Sequence, residues 1–449
     1  MNEKSSSAIF SNAQLKQMII PLLWEQLLVM LVGIADTLVI SYAGEASVSG
    51  VSLVNQFNTI FIYLFTALAA GGSVVISQYI GRKSFENADR SAGQLLMFST
   101  LFSLLVSILV LAGNEAMLRF LFGKVDADVM DACVIYLRIS ALSYPALAIY
   151  NTGAAVYRSL GKTKVTMNIS LLANGINVAG NIIGVFVLKA GVAGVAWPSF
   201  FARWFSAAAV TLLCFRQAET VHYRLRDIAA WDGQLLKTML GIAIPNGIEN
   251  GIFQLVKVAI SSIVALFGTY QIAANGVAQS IWSLAAIAGV AMGPVFITVI
   301  GQCMGGGDTD GADYYFRKLL KITLAMSVVW NVLSLAATPL FMKAYALAPE
   351  TKHLVYELVV IHNLFNALAF PFSGALSNGL RAAGDVKFTM YVSLLSTILG
   401  RLVLSYILGI TCGLGVIGIA LAMAADWCIR AVLFWARFKK GTWKKFQVI

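Results

Sequence analysis

The chain has 449 residues, of which 59% are hydrophobic and only 12% are charged, and its formal net charge is +11. Charged residues make up about a quarter of a soluble globular protein, so this composition excludes a soluble domain and indicates an all-α protein that crosses a membrane many times. The positive charge would suggest nucleic-acid binding in a soluble protein. Basic cytoplasmic loops explain it here, and no surface of interleaved basic and aromatic residues is found, so no nucleic-acid partner is expected.

Other function classes lack their motifs. The five cysteines and three histidines show no metal-binding spacing, and no phosphate-binding GxxxxGK[ST] loop is found. No pair of nucleophile and base indicates an enzyme, and no cofactor is expected. The polar N-terminus leads into the first apolar run without a small-residue cleavage site, so we expect no cleaved signal peptide.

Apolar runs of about 20 residues, each long enough to cross a bilayer as a helix, follow one another along the chain. We predict twelve spans, at residues 17–41, 52–77, 93–113, 134–157, 166–188, 192–214, 237–265, 274–299, 317–340, 356–380, 388–410 and 415–437. The predicted organisation is a cytoplasmic N-terminal segment at 1–16, a six-helix lobe at 17–214, a cytoplasmic linker at 215–236, a second six-helix lobe at 237–437 and a basic cytoplasmic tail at 438–449. The amphipathic pattern of the linker predicts a short surface helix.

Basic residues indicate the cytoplasmic side, because loops rich in Lys and Arg remain inside. With the N-terminus inside, 22 basic residues fall in cytoplasmic loops and tails, and outside are only Arg119, Lys124, Lys189, Lys343 and Lys352. This asymmetry predicts a multi-pass protein of the plasma or inner membrane with both termini cytoplasmic.

The chain repeats itself at a nearly constant offset. IIPLLWEQ around Glu25 recurs in the second half as AIPNGIEN around Glu249, and YRSLGKTKVTM at 157–167 parallels LRAAGDVKFTM at 380–390 at almost the same offset. Each half has six spans, an even number, so the halves insert with the same orientation and are related by an axis along the membrane normal. Substrate pathways in such folds lie between the halves near the bilayer midplane.

The first apolar run, 21–41, contains two acids, Glu25 and Asp36. A carboxylate near the bilayer centre costs ~2.5–3.5 kcal/mol on insertion scales, so an acid retained there is a functional candidate that faces a cavity. Asp36 is the deeper of the two, eleven residues and about 16 Å beyond Glu25. Glu25 could equally be a surface or capping acid at the helix start, and Asp36 could merely pair with a polar group on a neighbouring helix.

A second polar group lies on the fifth and sixth spans. Asn177 and Asn181 are one turn apart on one helical face, and Ser199 follows on the next span. With Asp36 they provide the oxygen ligands that Na⁺ prefers, which predicts a Na⁺ site at Asp36, Asn177 and Asn181 with the Ser199 hydroxyl nearby. The same residues could instead carry a proton, because burial favours a neutral carboxyl group and amides bond to either form. The two amides could also simply hold helices together.

The two halves differ at these positions. At the repeat offsets the three deep polar residues correspond to Ile260, Gly400 and Leu404, so the cluster is confined to the first half. Ion pairing between helices is the interpretation of the charges that lie in later spans, namely Arg203, Arg401, Asp426 and Arg430.

Further polar side chains are predicted to line a substrate cavity, namely Glu25, Gln56, Tyr150, Asn151, Glu249 and Lys257. Glu249 and Lys257 share the seventh span but are about 12 Å apart along its axis, too far for a direct ion pair. Lys257 could contribute charge to the substrate lobe or pair with an acid on another helix.

Five stretches carry a resemblance to a known family. They are VGIADTLVIS around Asp36, ISQYIGR after the second span, YRSLGKTK after the fourth, the NxxxN pattern of Asn177 and Asn181, and GVAGVAWPS ending at Ser199. Together they resemble the multidrug and toxic compound extrusion (MATE) transporters over essentially the whole chain. The resemblance implies a V-shaped pair of six-helix lobes that exports organic, often cationic, compounds in exchange for Na⁺ or H⁺.

The resemblance also implies roles for single residues. Asp36 matches the family's first-span acid, Asn177 and Asn181 match its fifth-span polar pair, and Ser199 stands where some members have threonine. The acidic pair that certain Na⁺-coupled members carry on the seventh and tenth spans has no clear equivalent here, because Glu249 lies a turn early and the tenth span has no acid.

We therefore expect a secondary antiporter for small organic compounds that works as a monomer in the lipid bilayer and is coupled to Na⁺ or H⁺ through Asp36. One alternative is a lipid-linked precursor flippase of the same superfamily, which would need a larger basic cavity. A non-transporting scaffold or sensor is disfavoured by the lack of an appended domain.

Overall fold

The structure, a computed structural model, describes residues 9–123, 125–217, 219–344 and 347–449. Within these ranges all regular secondary structure is helical. Contacts divide the chain into an N-terminal unit, Lys16–Gly247, and a C-terminal unit, Ile248–Ile449 together with the described residues before Lys16. The boundary between the units falls inside one long helix, α9 (Gly233–Val264).

Most helices are long enough to cross a bilayer. The N-terminal unit contains α1 (Asn12–Ser41), α2 (Glu45–Gly81), α3 (Phe85–Phe122), α4 (Ala127–Leu142), α5 (Tyr144–Ser159), α6 (Thr163–Ile182), α7 (Ala193–Phe215), α8 (Leu225–Ala229) and the first part of α9. The C-terminal unit continues with α10 (Thr269–Ala285), α11 (Ile287–Gly305), α12 (Thr309–Ala344), α13 (Pro349–Leu368), α14 (Leu376–Ala382), α15 (Val386–Leu395), α16 (Leu404–Tyr406) and α17 (Gly415–Lys439). Wider π-helical turns occur at Ile183–Val187, Pro371–Ala375, Ser396–Val403 and Ile407–Thr411, and 3₁₀ turns at Ala265–Phe267 and Thr442–Lys445.

The predicted number of twelve spans is confirmed. The predicted bounds of the eighth span, 274–299, are wrong, because they cross from α10 into α11 and the apolar span in this region is Ile287–Gly305. Ten helical segments are individually long and apolar enough to cross a membrane, and counting each of two bent pairs as one span gives twelve. The predicted spans 134–157 and 356–380 are not straight, because the first bends by 43° between α4 and α5 and the second by 49° after α13. Pro145 and Pro371 stand at the start of the segment after each bend. Proline has no N–H to donate, so it interrupts the helical ladder at these points.

Apolar side chains lie both inside and outside each unit, as a membrane protein requires. Val54 and Leu137 have no exposed surface in the core of the N-terminal unit, and Val355 and Leu358 have none in that of the C-terminal unit. Apolar residues such as Leu212, which is 70% exposed, cover the outside. Polar side chains in the interior are therefore the exceptions that need a structural or functional reason.

The connecting and terminal segments are held by specific polar contacts. Asp89, at the start of α3, accepts a hydrogen bond from the His222 backbone N–H at 2.8 Å and forms an ion pair with Arg224 at 2.7 Å. These contacts tie α3 to the loop between α7 and α9, which contains the predicted short helix as α8. In the C-terminal unit, the Tyr315 hydroxyl accepts a hydrogen bond from the Phe10 backbone N–H and donates one to the Phe10 carbonyl, each at 2.8 Å.

Candidate functional site

The polar side chains predicted on the first, fifth and sixth spans meet inside the N-terminal unit. Asn181 Nδ2 donates hydrogen bonds to Asp36 Oδ1 at 2.6 Å and to Asn177 Oδ1 at 2.7 Å. Asn177 Nδ2 in turn donates to Ser199 Oγ at 3.1 Å. A continuous chain of hydrogen bonds therefore joins α1, α6 and α7. We call these four residues, Asp36, Asn177, Asn181 and Ser199, the Asp36 cluster.

Helical spacing and glycine bring this cluster together. Asn177 and Asn181 project from one face of α6 because they are one turn apart. Beyond α6, the π-helical turn containing Gly184 meets Gly194 of α7 backbone to backbone, and a Cβ atom on Gly194 would lie 2.6 Å from the Gly184 carbonyl oxygen. Only glycine permits so close an approach, which brings Asn177 within reach of Ser199.

One acceptor in the Asp36 cluster has no partner. The Asn181 side chain is fully buried, and its Oδ1 atom forms no hydrogen bond within the described part of the chain. An unpaired buried carbonyl oxygen is costly, so an atom in this position favours a ligand that accepts its lone pair. Since Asp36 contributes the single negative charge beside it, the residues fit one monovalent cation or one proton.

Two neighbours of Asp36 were not predicted to belong to this site. Tyr136 on α4 and Arg203 on α7 are both near enough to interact electrostatically with its carboxylate. Arg203 was expected to form an ion pair, but it donates to Ser143 Oγ at 2.7 Å and forms no ion pair among the described residues. The position of Arg203, one helical turn after Ser199 on the same face of α7, was the feature of the sequence that could have placed Arg203 near this site.

Glu25 and Tyr150, predicted to line a substrate cavity, lie in a different buried cluster of the N-terminal unit. Glu25 Oε1 forms an ion pair with Arg158 Nη2 at 2.7 Å and accepts a hydrogen bond from the Tyr150 hydroxyl at 3.4 Å. Glu25 Oε2 accepts one from Thr166 Oγ1 at 3.1 Å. The Glu25 side chain is only 6% exposed. It is therefore neither a surface acid nor a helix cap, and it ties α1 to α5 and α6.

The C-terminal unit contains the equivalent ion pair. Glu249 Oε2 lies 2.6 Å from Arg381 Nη2, and both side chains are buried. In the internal repeat Glu249 corresponds to Glu25 and Arg381 corresponds to Arg158, so the two pairs occupy repeated positions. The repeat predicted from short motifs is thus also a repeat of a buried contact.

The other cavity candidates have no such partners. Gln56 on α2 and Lys257 on α9 are exposed, and Asn151 on α5 is half-buried. Within the described ranges Lys257 forms no ion pair, so neither the distant Glu249 nor an acid of another helix neutralises it. The structure therefore does not gather the six candidates into one site within either unit.

A charged cluster that the sequence interpretation treated only as ion pairing lies in the C-terminal unit. Asp426 has no exposed surface and pairs with Arg401 at 3.0 Å and with Arg430 at 2.8 Å. Arg430 Nη2 also donates to Thr397 Oγ1 at 2.7 Å. The predicted ion pairing of these three charges is confirmed. Arg401 directly follows Gly400, the position aligned with Asn177, so this unit has a buried cation next to the position at which the N-terminal unit has an amide.

Comparison with known proteins identifies the family. A family model described as MatE matches the chain twice, at residues 21–183 and at residues 245–407. The chain belongs to the MatE family. The second match is displaced from the first by 224 residues at both its beginning and its end, the same distance that separates Glu25 from Glu249. As a member of this family, the protein is a multi-pass membrane transporter and not an enzyme.

Relatives align along nearly the whole MatE chain. An uncharacterized transporter, YisQ of Bacillus subtilis strain 168, is 28% identical over 433 residues, which cover 94% of this chain and 93% of YisQ. A probable multidrug resistance protein, NorM of Thermotoga maritima, is 23% identical and covers 97% and 94%.

Solved structures share the fold. An outward-facing multidrug resistance MATE family transporter of the MOP superfamily matches with a TM-score of 0.90 at 19% identity, over 96% of both chains. A MOP superfamily transporter from Pyrococcus furiosus, described by the reverse polarity of its binding pocket and a suggested different function, matches with a TM-score of 0.89 at 18% identity, over 96% of both chains. At these identities the likeness establishes the architecture of two six-helix lobes.

Proposed function

We propose that this MatE protein is a secondary antiporter that exports small organic compounds in exchange for Na⁺ or H⁺, with the Asp36 cluster as its coupling site. The unpartnered oxygen of Asn181 beside the carboxylate of Asp36 supports this role. Asp36, Asn177 and Asn181 supply the oxygen atoms that would hold Na⁺, with the Ser199 hydroxyl nearby, and a protonated Asp36 would instead donate a hydrogen bond.

Coupling follows from the difference in affinity between two conformations. A ligand shifts a conformational equilibrium only if it binds one state better than the other. A charged Asp36 is costly in the membrane interior, so an ion or proton that neutralises it favours the state in which α1, α6 and α7 close around the cluster. Release of the ion favours the other state, and the alternation moves substrate outward.

The names of the relatives support organic compounds as substrates, since several are described as multidrug resistance proteins. We further propose that the protein lies in the plasma or inner membrane with both termini in the cytoplasm, as the distribution of basic loops predicts. We propose that a single chain suffices for transport, because the cluster draws all its residues from one unit of one chain.

Efflux from proteoliposomes tests the coupling. With ethidium as the transported probe and Na⁺ and pH gradients imposed separately, one of the two gradients should drive efflux. Asp36→Asn should abolish gradient-driven efflux without loss of folded protein. Asp131→Asn makes the same change at an exposed position of the same unit and should leave efflux unchanged. Normal gradient-driven efflux by Asp36→Asn would refute the role of the cluster.

The same vesicles test the flippase alternative. A labelled lipid-linked sugar should remain in its original leaflet if the protein is an antiporter for small compounds. Protein-dependent movement of that lipid, together with no efflux of ethidium under either gradient, would favour the flippase instead.

A further inference from the structure

The C-terminal unit contains a small cavity that the proposed coupling mechanism does not use. Its volume is about 160 Å³. Its wall combines four aromatic rings with two guanidinium groups, those of Phe253, Trp282, Phe370, Trp427, Arg401 and Arg430. Phe253 lies on α9, Trp282 on α10, and Trp427 and Arg430 on α17. Phe370 directly precedes the π-helical turn Pro371–Ala375 and Arg401 lies in the turn Ser396–Val403, so the cavity is built inside one unit.

The charges around this cavity do not cancel. Asp426, which has no exposed surface, is shared between Arg401 and Arg430 of the wall. Glu249, the acid on the wall, is already paired with Arg381 at 2.6 Å. Arg381, Arg401 and Arg430 therefore carry three positive charges, and Glu249 and Asp426 carry two negative charges, which leaves a net charge of +1. None of the five side chains is more than 13% exposed. An uncompensated charge in such a place is costly, so the cavity favours a ligand with one negative charge.

Hydrogen-bond donors at the wall also lack partners. Arg401 Nε lies 3.0 Å from Asp426 Oδ2 as an ion pair but forms no hydrogen bond, and within the described part of the chain neither Nη atom donates one. The indole Nε1 of Trp282 is buried and has no partner among the described residues. The Arg401 guanidinium lies over the Phe253 ring, 4.8 Å from its centroid, which fixes the orientation of its free edge. The cavity thus offers preoriented donors without an acceptor.

We propose that this cavity binds the carboxylate of a small aromatic acid. A carboxylate carries the one negative charge that is missing, and its two oxygens match the planar fork of a guanidinium. The ring next to it would pack against Trp282 and Trp427, which are stacked with their centroids 5.7 Å apart. An organic cation would meet excess positive charge, and a phosphate would bring more than one negative charge.

The size of the cavity limits the ligand. Pockets for drug-sized ligands measure about 300–1,000 Å³, so this cavity holds a one-ring acid or the acidic end of a longer compound. The assignment of such an acid as a transported compound rests on the transport function proposed above. Its binding in the cavity does not depend on transport.

Calorimetric titration of the purified full-length protein tests the site with benzoate as the probe and benzamide as its neutral analogue. Benzoate should bind and benzamide should bind much more weakly. Arg401→Gln should weaken benzoate at least about tenfold, since it removes a charged hydrogen-bond donor. Trp282→Phe keeps the ring, removes the N–H and should weaken benzoate severalfold. Lys387→Gln removes one positive charge at an exposed position of the same span and should have no effect.

Three outcomes would overturn the proposal: no binding of benzoate, equal binding of benzamide, or unchanged benzoate affinity in a folded Arg401→Gln variant. If that variant does not fold, Arg401→Lys and Trp282→Phe test the proposal instead. Unchanged benzoate affinity in both of these variants would also overturn it. Asp36→Asn should bind benzoate normally while it loses gradient-driven efflux. Failure of this cavity as a binding site is therefore distinguishable from failure of the coupling mechanism.

Discussion

The ion pair between Glu25 and Arg158 should contribute far more to stability than an exposed pair of the same length. Its oxygen and nitrogen atoms are 2.7 Å apart, and the two side chains are 6% and 24% exposed. Glu25→Gln keeps the size of the side chain and removes its charge. Arg158 would then remain largely buried without its carboxylate, although the new amide could still accept the hydrogen bond from Thr166.

The degree of burial sets the expected magnitude. Removing one partner of a buried pair costs ~3–5 kcal/mol, whereas exposed pairs contribute about 0–1 kcal/mol. Because Arg158 is a quarter exposed and can turn partly toward water, we expect a loss of about 3 kcal/mol, at the low end. The matched control is the pair of Glu115 and Arg138, which is 2.8 Å long but 57% and 54% exposed. Glu115→Gln should therefore cost less than about 1 kcal/mol.

Reversible unfolding in mixed micelles, followed by tryptophan fluorescence, gives the free energies. Glu25→Gln, Arg158→Gln and the double variant form a cycle in which the double variant should be more stable than the sum of the single losses predicts. Equal losses for Glu25→Gln and Glu115→Gln would show that burial does not determine the contribution. Strict additivity in the cycle would show that the two charges do not interact.

Three further substitutions test other contacts. Gly194→Ala should cost about 1–3 kcal/mol, because its new methyl group would collide with the backbone of Gly184, and it should reduce gradient-driven efflux by moving α7 away from α6. Asp89→Asn should release the loop between α7 and α9, seen as several-fold faster cleavage by trypsin in that loop. Tyr315→Phe should leave the buried backbone of Phe10 unpaired, at ~1–3 kcal/mol, and accelerate amide exchange at that residue.

Each of these predictions has a matched control. Gly175→Ala adds a methyl group on α6 where nothing lies within 4 Å, so its stability and efflux should be normal. Asp313→Asn changes the acid that corresponds to Asp89 in the internal repeat. Among the described residues Asp313 pairs with Arg317 of its own helix and with no other cation, so trypsin cleavage between α7 and α9 should stay slow. Equal cleavage of the two acid variants would contradict the role of Asp89. For Tyr315→Phe, unchanged exchange at Phe10 would show that the hydroxyl does not hold this segment.

The sequence predicts the spans well because hydrocarbon imposes a strong constraint on length and polarity. It does not predict the bends, since Pro145 and Pro371 lie within continuous apolar runs and hydropathy carries no information about the direction of a helix. The close approach of α6 and α7 was missed for a similar reason. Nothing in the sequence distinguishes two glycines that contact each other across helices from other glycines, because the contact depends on how the helices pack.

The Asp36 cluster was predictable because polar residues are rare and costly in a span, so each one stands out. The aromatic cavity was not. In the sequence, the aromatic residues of the cavity cannot be distinguished from the many phenylalanine and tryptophan residues that face lipid or fill cores. The repeat offset aligned Asn177 with Gly400, so the neighbouring Arg401 was not recognised as a cavity residue. One residue of uncertainty in a helical alignment rotates a position by about 100°, enough to exchange a wall residue for a lipid-facing one.

Comparison of the two repeated units distinguishes contacts that maintain the fold from polar groups that bind a ligand. Two kinds of contact occur in both units and therefore maintain the fold. One is the buried pair of Glu and Arg. The other is a glycine that meets the backbone of a facing segment: Gly194 does so in one unit and Gly418 in the other, where a Cβ atom on Gly418 would lie 2.7 Å from the Gly409 nitrogen. Ligand recognition has no such need for duplication, because one ion and one substrate each require one site. The polar groups that lack a counterpart, Asp36 with its amides and Asp426 with its two arginines, are accordingly the places where we propose that ligands bind.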